Sequence, residues 1–228
     1  MLLVVQNDPE VPIGRFGTLL DQSGVAWQLL KAYSGETWPS LDKLAGVIVL
    51  GGAMGVNDLE KHPYLVEVKR FIAKVLQRRL AFLGICLGGQ LLADVAGARV
   101  TSGQWGEKGA LSVDLTLAGR DDRLFAGLGA MFTTFQWHSD SFAIPDKGVL
   151  LASSPVCPHQ AFRCGTNAYG LQFHPEVDAS IVACWSQDTP ETALQTDRFV
   201  QEFLALESFY ARVAEQLLNN FLHIVSTG

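Results

Sequence analysis

Three short runs of wholly apolar residues, at 2–5, 46–50 and 81–85, constrain the fold of this chain more than any other feature. A strand with water on one face alternates apolar and polar side chains, so runs without alternation read as strands buried on both faces. Helical periodicity lies between them. Residues 16–22 read as a helix, and 27–33 as a second strand. Residues 64–78 carry apolar side chains at 65, 68, 72, 75 and 76, the spacing of one helix face. Residues 87–96 read as another helix, with Gly97 as its stop. Strand and helix in alternation predict an α/β fold, with an open, mostly parallel or mixed central sheet and helices on both faces. The middle changes character: 110–117, 131–137, 149–153, 160–163 and 169–173 read as short strands of a meander or mixed sheet. The tail, about 190–224, returns to helix, and 192–222 read as one long amphipathic stretch. Neither repeat nor linker interrupts the 228 residues, so a single domain is expected over 1–228.

Composition narrows the classes. With 48% apolar and 18% charged residues, the chain has the make-up of a packed globule and not of a disordered segment. The net charge is -6 and Arg78-Arg79 is the longest basic run, which argues against nucleic acid as a partner. The N-terminal apolar run ends at Gln6-Asn7-Asp8, too soon for a signal peptide. No stretch approaches the roughly 20 apolar residues that span a bilayer. Cys86, Cys157, Cys164 and Cys184 are scattered without metal-site spacing. No disulfide framework, no metal and no cofactor is expected, and a cytoplasmic location fits best.

The strand at 81–85 runs directly into Cys86, with Gly84 two residues before it and Gly88 two after. Small residues on both sides permit a sharp strand-to-helix turn that lifts the nucleophile above the sheet. A helix beginning just after Cys86 aims its positive dipole end at the sulfur and favours thiolate. The backbone N–H of Leu87 is placed to donate to an oxyanion. The competing readings are a buried structural cysteine and, less well matched, a phosphate loop. The Lys and Ser/Thr of a P-loop are absent.

Farther along, an apolar strand ends in Phe173-His174-Pro175-Glu176. Pro175 holds His174 extended, and residues two apart on an extended backbone share a side. His174 and Glu176 can therefore face one site, the carboxylate fixing the imidazole tautomer. A lone His is more often structural, and His-x-Glu also occurs in metal sites, but no further ligands accompany it here. A nucleophile–base–acid triad of Cys86, His174 and Glu176 is the reading that accounts for all three.

The sequences Gly84-Ile85-Cys86-Leu87-Gly88-Gly89-Gln90 and Phe173-His174-Pro175-Glu176, with the glycine turn Leu50-Gly51-Gly52-Ala53-Met54, resemble the class I glutamine amidotransferases. The resemblance covers roughly residues 46–178. Trp137-His138-Ser139-Asp140 is similar to the branch related to the amidotransferase domain of GMP synthetase. It implies a flavodoxin-like sheet and a γ-glutamyl thioester on Cys86. It also implies an oxyanion hole from the backbone N–H groups of Gly52 and Leu87. Substrate contacts would come from Gly51, Gln90, His138, Ser139 and Asp140. Trp105, Glu107 and His159 are expected to line or approach the pocket, on composition alone.

An amidotransferase passes ammonia to a synthase, and no ATP-binding loop is visible in this sequence. Three readings stay open: a glutaminase subunit that docks a separate synthase, a standalone hydrolase of γ-glutamyl peptides with the same triad, and a non-catalytic binding or regulatory protein. The intact Cys–His–Glu set argues against the last.

Overall fold

The computed structural model describes residues 1–227. Its strands in chain order are β1 (Leu2–Gln6), β2 (Trp27–Lys31), β3 (Gly46–Val49), β4 (Ala81–Ile85), β5 (Val100–Thr101), β6 (Glu107–Leu115), β7 (Met131–His138), β8 (Ser141–Phe142), β9 (Gly148–Ser153), β10 (Ala161–Cys164) and β11 (Ala168–Leu171). Its helices are α1 (Arg15–Ser23), α2 (Tyr64–Gln77), α3 (Leu87–Val95), α4 (Leu117–Arg120), α5 (Ala179–Trp185), α6 (Pro190–Ala193), α7 (Thr196–Ala205) and α8 (Glu207–Thr227). Nine strands form one sheet in the order β2-β1-β3-β4-β11-β10-β9-β6-β7, while β5 and β8 pair separately. The first five strands in that order run parallel and the remaining pairings are antiparallel. The mixed α/β sheet expected from the apolar runs is therefore observed.

Alternation along the buried strands divides the core in two. Leu2, Val4, Ile48, Leu83 and Ile85 face one side, where Phe16 and Leu20 of α1 and Leu217, Phe221 and Ile224 of α8 cover them. Leu3, Val5, Val47, Val49 and Phe82 face the other, beneath Leu65, Val68 and Ile72 of α2 and Leu91 and Leu92 of α3. Both strand faces are dry, which is why these runs lack polar residues. Among the described residues, no helix is long and apolar enough to cross a membrane.

The tail departs from the continuous helix expected over 192–222. It breaks after Ala193 and again at Leu206. Helix α7 turns its Phe199 and Phe203 into a third cluster with Val11, Phe135, Val177, Ile181 and Trp185, while α8 lies against the sheet. The two helices serve different surfaces, and one straight rod could not cover both. Helix α5 is not foreshadowed by any periodicity in the sequence. Asp178 caps it, its carboxylate accepting from the backbone N–H groups of Ser180 and Ile181.

Candidate active site

Ligands of open α/β sheets bind beyond the carboxyl ends of the parallel strands. Four adjacent strands here each deliver one part at that edge. Asp8 follows β1, Gly51-Gly52 follow β3, Cys86 follows β4, and His174 lies three residues past β11. The parallel register pairs Leu171 with Ile85, which brings the Cys86 and His174 segments side by side although 88 positions of sequence separate them.

Cys86 has φ 48° and ψ -107°, a conformation in which a residue with a side chain is strained. The turn is held on both sides: the Cys86 N–H donates to the Leu171 carbonyl at 2.8 Å, and its own carbonyl accepts from the Gln90 N–H at 2.9 Å. The flanking glycines are demanded by close approach. A Cβ on Gly84 would collide with the backbone of Gly88, and one on Gly88 with the carbonyl oxygen of Val49. The chain can therefore make this turn only with hydrogen at both positions.

Past β11, His174 Nδ1 lies 2.7 Å from Glu176 Oε1. Both side chains are buried, and the imidazole packs edge-on against Trp185 with ring centroids 4.7 Å apart. Its backbone N–H donates to the Phe135 carbonyl of β7. Burial by itself lowers the pKa of His174. The charges of Glu176 and of the Cys86 thiolate, with hydrogen bonds to both, outweigh it and raise the imidazole above its ordinary value. The remaining cysteines have thiols pushed up, Cys164 to about 11 by burial, Cys157 by burial, and Cys184 chiefly by its hydrogen bond to Glu10. None of these three sits at a positive φ.

Two cavities meet at Cys86. One is bounded by Asp8, Glu10, Val11, Trp137, His174, Trp185 and Asp188. The other, about 240 Å³, is bounded by Gln90, Lys108, His138, Ser139 and Asp140. Gly52, Ala53, Trp137 and Asp188 border both. The second volume falls below the roughly 300–1,000 Å³ of drug-sized pockets and suits one small polar molecule better than a nucleotide. The catalytic, oxyanion and substrate-contact residues singled out from the sequence converge here. A Cβ on Gly51 would lie 3.1 Å from His174 Cε1 and 3.6 Å from Cys86 Cβ. Leu87 opens α3, with its side chain against Gly52. Trp105, Glu107 and His159 border neither cavity.

Several contributors went unread in the sequence. Asp8 accepts from the backbone N–H of Glu10 and, through its other oxygen, from that of Ala53, both at 3.0 Å. Asn7 donates to the Leu50 carbonyl at 2.7 Å. Together they anchor the Gly51-Gly52 turn to the end of β1. Gln172 donates to Cys86 Sγ at 3.6 Å. Trp137 donates its indole N–H to Asp188 at 3.2 Å, with Lys108 Nζ 4.9 Å above the ring. A polar Gln-Asn-Asp directly after a buried parallel strand was the one legible signal for Asp8.

Glu107, His138 and Cys157 hold possible metal-ligand atoms within 4.8 Å of one another. Each atom is already hydrogen-bonded: Glu107 Oε2 accepts from Gln160, and Cys157 Sγ lies 3.2 Å from Ser141 Oγ. The cluster is a hydrogen-bonded polar network, of which only His138 borders a cavity.

The sequence matches the family described as glutamine amidotransferase class-I over residues 22–181. This chain belongs to the class I glutamine amidotransferase family. A Salmonella typhimurium relative named as a glutamine amidotransferase-like protein, YfeJ, is 29% identical over 200 residues, covering 85% of this chain and 83% of the relative. A subunit of the glutamine-hydrolysing GMP synthase of Halobacterium salinarum is 30% identical over 178 residues, covering 77% of this chain and 88% of that relative. The crystal structure of a glutamine amidotransferase from Thermotoga maritima superposes with a TM-score of 0.86 at 29% identity, covering 99% of this chain and 98% of that one.

Proposed function

We propose that this class I amidotransferase domain hydrolyses the side-chain amide of glutamine through a γ-glutamyl thioester on Cys86. The observation that carries the reading is the strained Cys86 elbow opening onto the same cavity as the buried His174–Glu176 pair. Cys86 Sγ, as thiolate, attacks the side-chain carbonyl carbon, and the oxygen takes up the negative charge beside the backbone N–H groups of Gly52 and Leu87. As the intermediate collapses, the C–N bond breaks. His174 Nε2 gives its proton to the departing nitrogen, since Nδ1 faces Glu176. Water then loses a proton to the neutral imidazole and attacks the thioester. The C–S bond breaks, releasing glutamate and restoring thiolate and imidazolium. Gln90, His138, Ser139 and Asp140, with Gly51, receive the amino-acid head of the substrate. No cofactor enters the cycle.

The kinship with GMP synthase subunits supports a role as the ammonia-supplying partner of a separate synthase. A second reading rests on the cavity on the far side of Cys86. Trp137, Trp185 and Val11 wall it, and Asp8, Glu10 and Asp188 border it, which suits a larger leaving amine, such as that of a γ-glutamyl peptide, as well as ammonia. The test is to compare ammonia release from free glutamine with amine release from γ-glutamyl amides, using the purified wild-type chain, Cys86→Ala and Cys86→Ser. Turnover by wild type and none by either variant is expected. Full activity in both variants would discard the thioester. Failure of a glutamine-shaped electrophile to label Cys86, with no turnover of either substrate, would leave the binding or regulatory role.

A further inference from the structure

Behind the second cavity lies a buried polar network centred on Glu107, which itself does not reach the cavity. Its side chain is 2% exposed and that of His138 1%, so the pair is shut off from water. The antiparallel register of β6 and β7 sets Glu107 directly opposite His138. Glu107 Oε2 lies 3.1 Å from His138 Nε2 and also accepts from Gln160 Nε2. Glu107 Oε1 accepts from Ser154 Oγ at 2.6 Å. Gln136 donates to Gln160 at 2.9 Å and holds the outer side of the network.

On its other side the His138 ring reaches the cavity wall. Nδ1 lies 3.1 Å from the Asp140 carbonyl, which also accepts from Gln90 Nε2 at 3.1 Å. Gln90 Nε2 is 3.4 Å from Gln172 Oε1, and Gln172 Nε2 donates to Cys86 Sγ. Both nitrogens of His138 thus face acceptors, a carbonyl on one side and a carboxylate on the other. The Glu107 carboxylate on one edge and the Asp140 carbonyl on the other together fix the plane of the ring.

We propose that Glu107 is a positioning residue: through His138 it fixes the Ser139–Asp140 wall and Gln90, and so determines how tightly the site grips the amino-acid head of its substrate. It touches neither substrate nor nucleophile. A carboxamide at position 107 would present an NH2 group to a cage that already donates to it. His138 would lose the carboxylate that orients its ring. A ring no longer held from that side turns away from the Asp140 carbonyl, and the wall loosens while Cys86 keeps its turn.

The inference rests on the Cys86 reading above, and two alkylating probes separate the two. A chloroketone analogue of glutamine carries the α-amino and α-carboxylate groups and needs the wall; iodoacetamide needs only the thiolate. In Glu107→Gln, labelling of Cys86 by subsaturating chloroketone is expected to slow about tenfold, the size of one lost charged hydrogen bond. Iodoacetamide labelling should stay near the wild-type rate, and KM for the substrate should rise more than kcat falls. Ser154→Ala strips one donor from Glu107 without reaching the cavity, and should move the ratio of the two rates the same way by less. It also serves if Glu107→Gln does not fold. Equal slowing of both probes would reduce Glu107 to general structural support, and an unchanged ratio in folded variants would overturn the proposal. Wild-type Cys86 labelled by iodoacetamide but never by the chloroketone would instead defeat the glutamine reading itself.

Discussion

His174 and Glu176 are joined by a 2.7 Å contact between Nδ1 and Oε1 in a buried setting where the second carboxylate oxygen, Oε2, has no partner among the described residues. The carboxylate is thus devoted to the imidazole, and the charge of the ring depends on it.

That dependence has a sign. Glu176 raises the pKa of His174, whose folded value is about 10. A step that needs the imidazolium therefore persists through neutral pH and is lost only as pH rises through that value. In Glu176→Gln the main raising charge is gone while burial still lowers the group. The alkaline limb of the kcat–pH profile should move to lower pH. The same raised group adds stability that is complete below its unfolded value near 6.5 and fades as pH climbs toward about 10. Thermal melts across that window should fall more steeply for wild type than for Glu176→Gln.

The positive φ of Cys86 predicts an inverted stability order. Glycine is ordinarily about 0.5–1 kcal/mol worse than alanine in ordered backbone. At position 86 alanine keeps the strain and glycine relieves it, by an amount on the order of 1–3 kcal/mol. Cys86→Gly should accordingly melt at or above Cys86→Ala in a calorimeter, with both inactive. A clearly lower melting point for the glycine variant would mean that the elbow is unstrained.

Gly88→Ala places a methyl group into the Val49 carbonyl oxygen. Overpacking of this kind costs about 1–3 kcal/mol when neighbours can shift, and here the neighbour is central-strand backbone. Chemical denaturation should show a loss at the upper end of that range. Activity should fall further than stability, because the displaced strand leads into the Gly51-Gly52 turn, proposed to receive the oxyanion.

Asp8→Ala removes the carboxylate that holds the Ala53 N–H while leaving Cys86 and His174 untouched. The expected result is a fall in kcat of roughly 10–100-fold with a smaller change in KM, the pattern of a displaced transition-state contact. Steady-state kinetics on a variant with unchanged circular dichroism would check it.

The parts legible in the sequence are those whose physics is local. Leu2–Gln6, Gly46–Val49 and Ala81–Ile85 announce themselves because both faces are dry. Cys86 does so because its turn demands neighbouring glycines. Val100–Thr101 and Ser141–Phe142 are two residues each, too short for any period to register. The tail reads as one helix because α7 and α8 each carry an apolar face and neither break is marked by proline or glycine; only the packing partners differ. The pairing of Glu107 with His138 depends on strand register across 31 positions, which no local pattern encodes. The polar run ending in Asp8 is visible in the sequence, but its partner N–H on Ala53 lies on another strand's loop and is not.

The distribution of the site over four neighbouring parallel strands has a consequence during synthesis. Cys86 is made well before His174, and until β11 inserts between β4 and β10 the imidazole is not held beside it. A nascent or half-unfolded chain therefore lacks the base of the proposed mechanism. On the proposed mechanism the last parallel strand to arrive assembles the site, so that chemistry and completed folding become a single event.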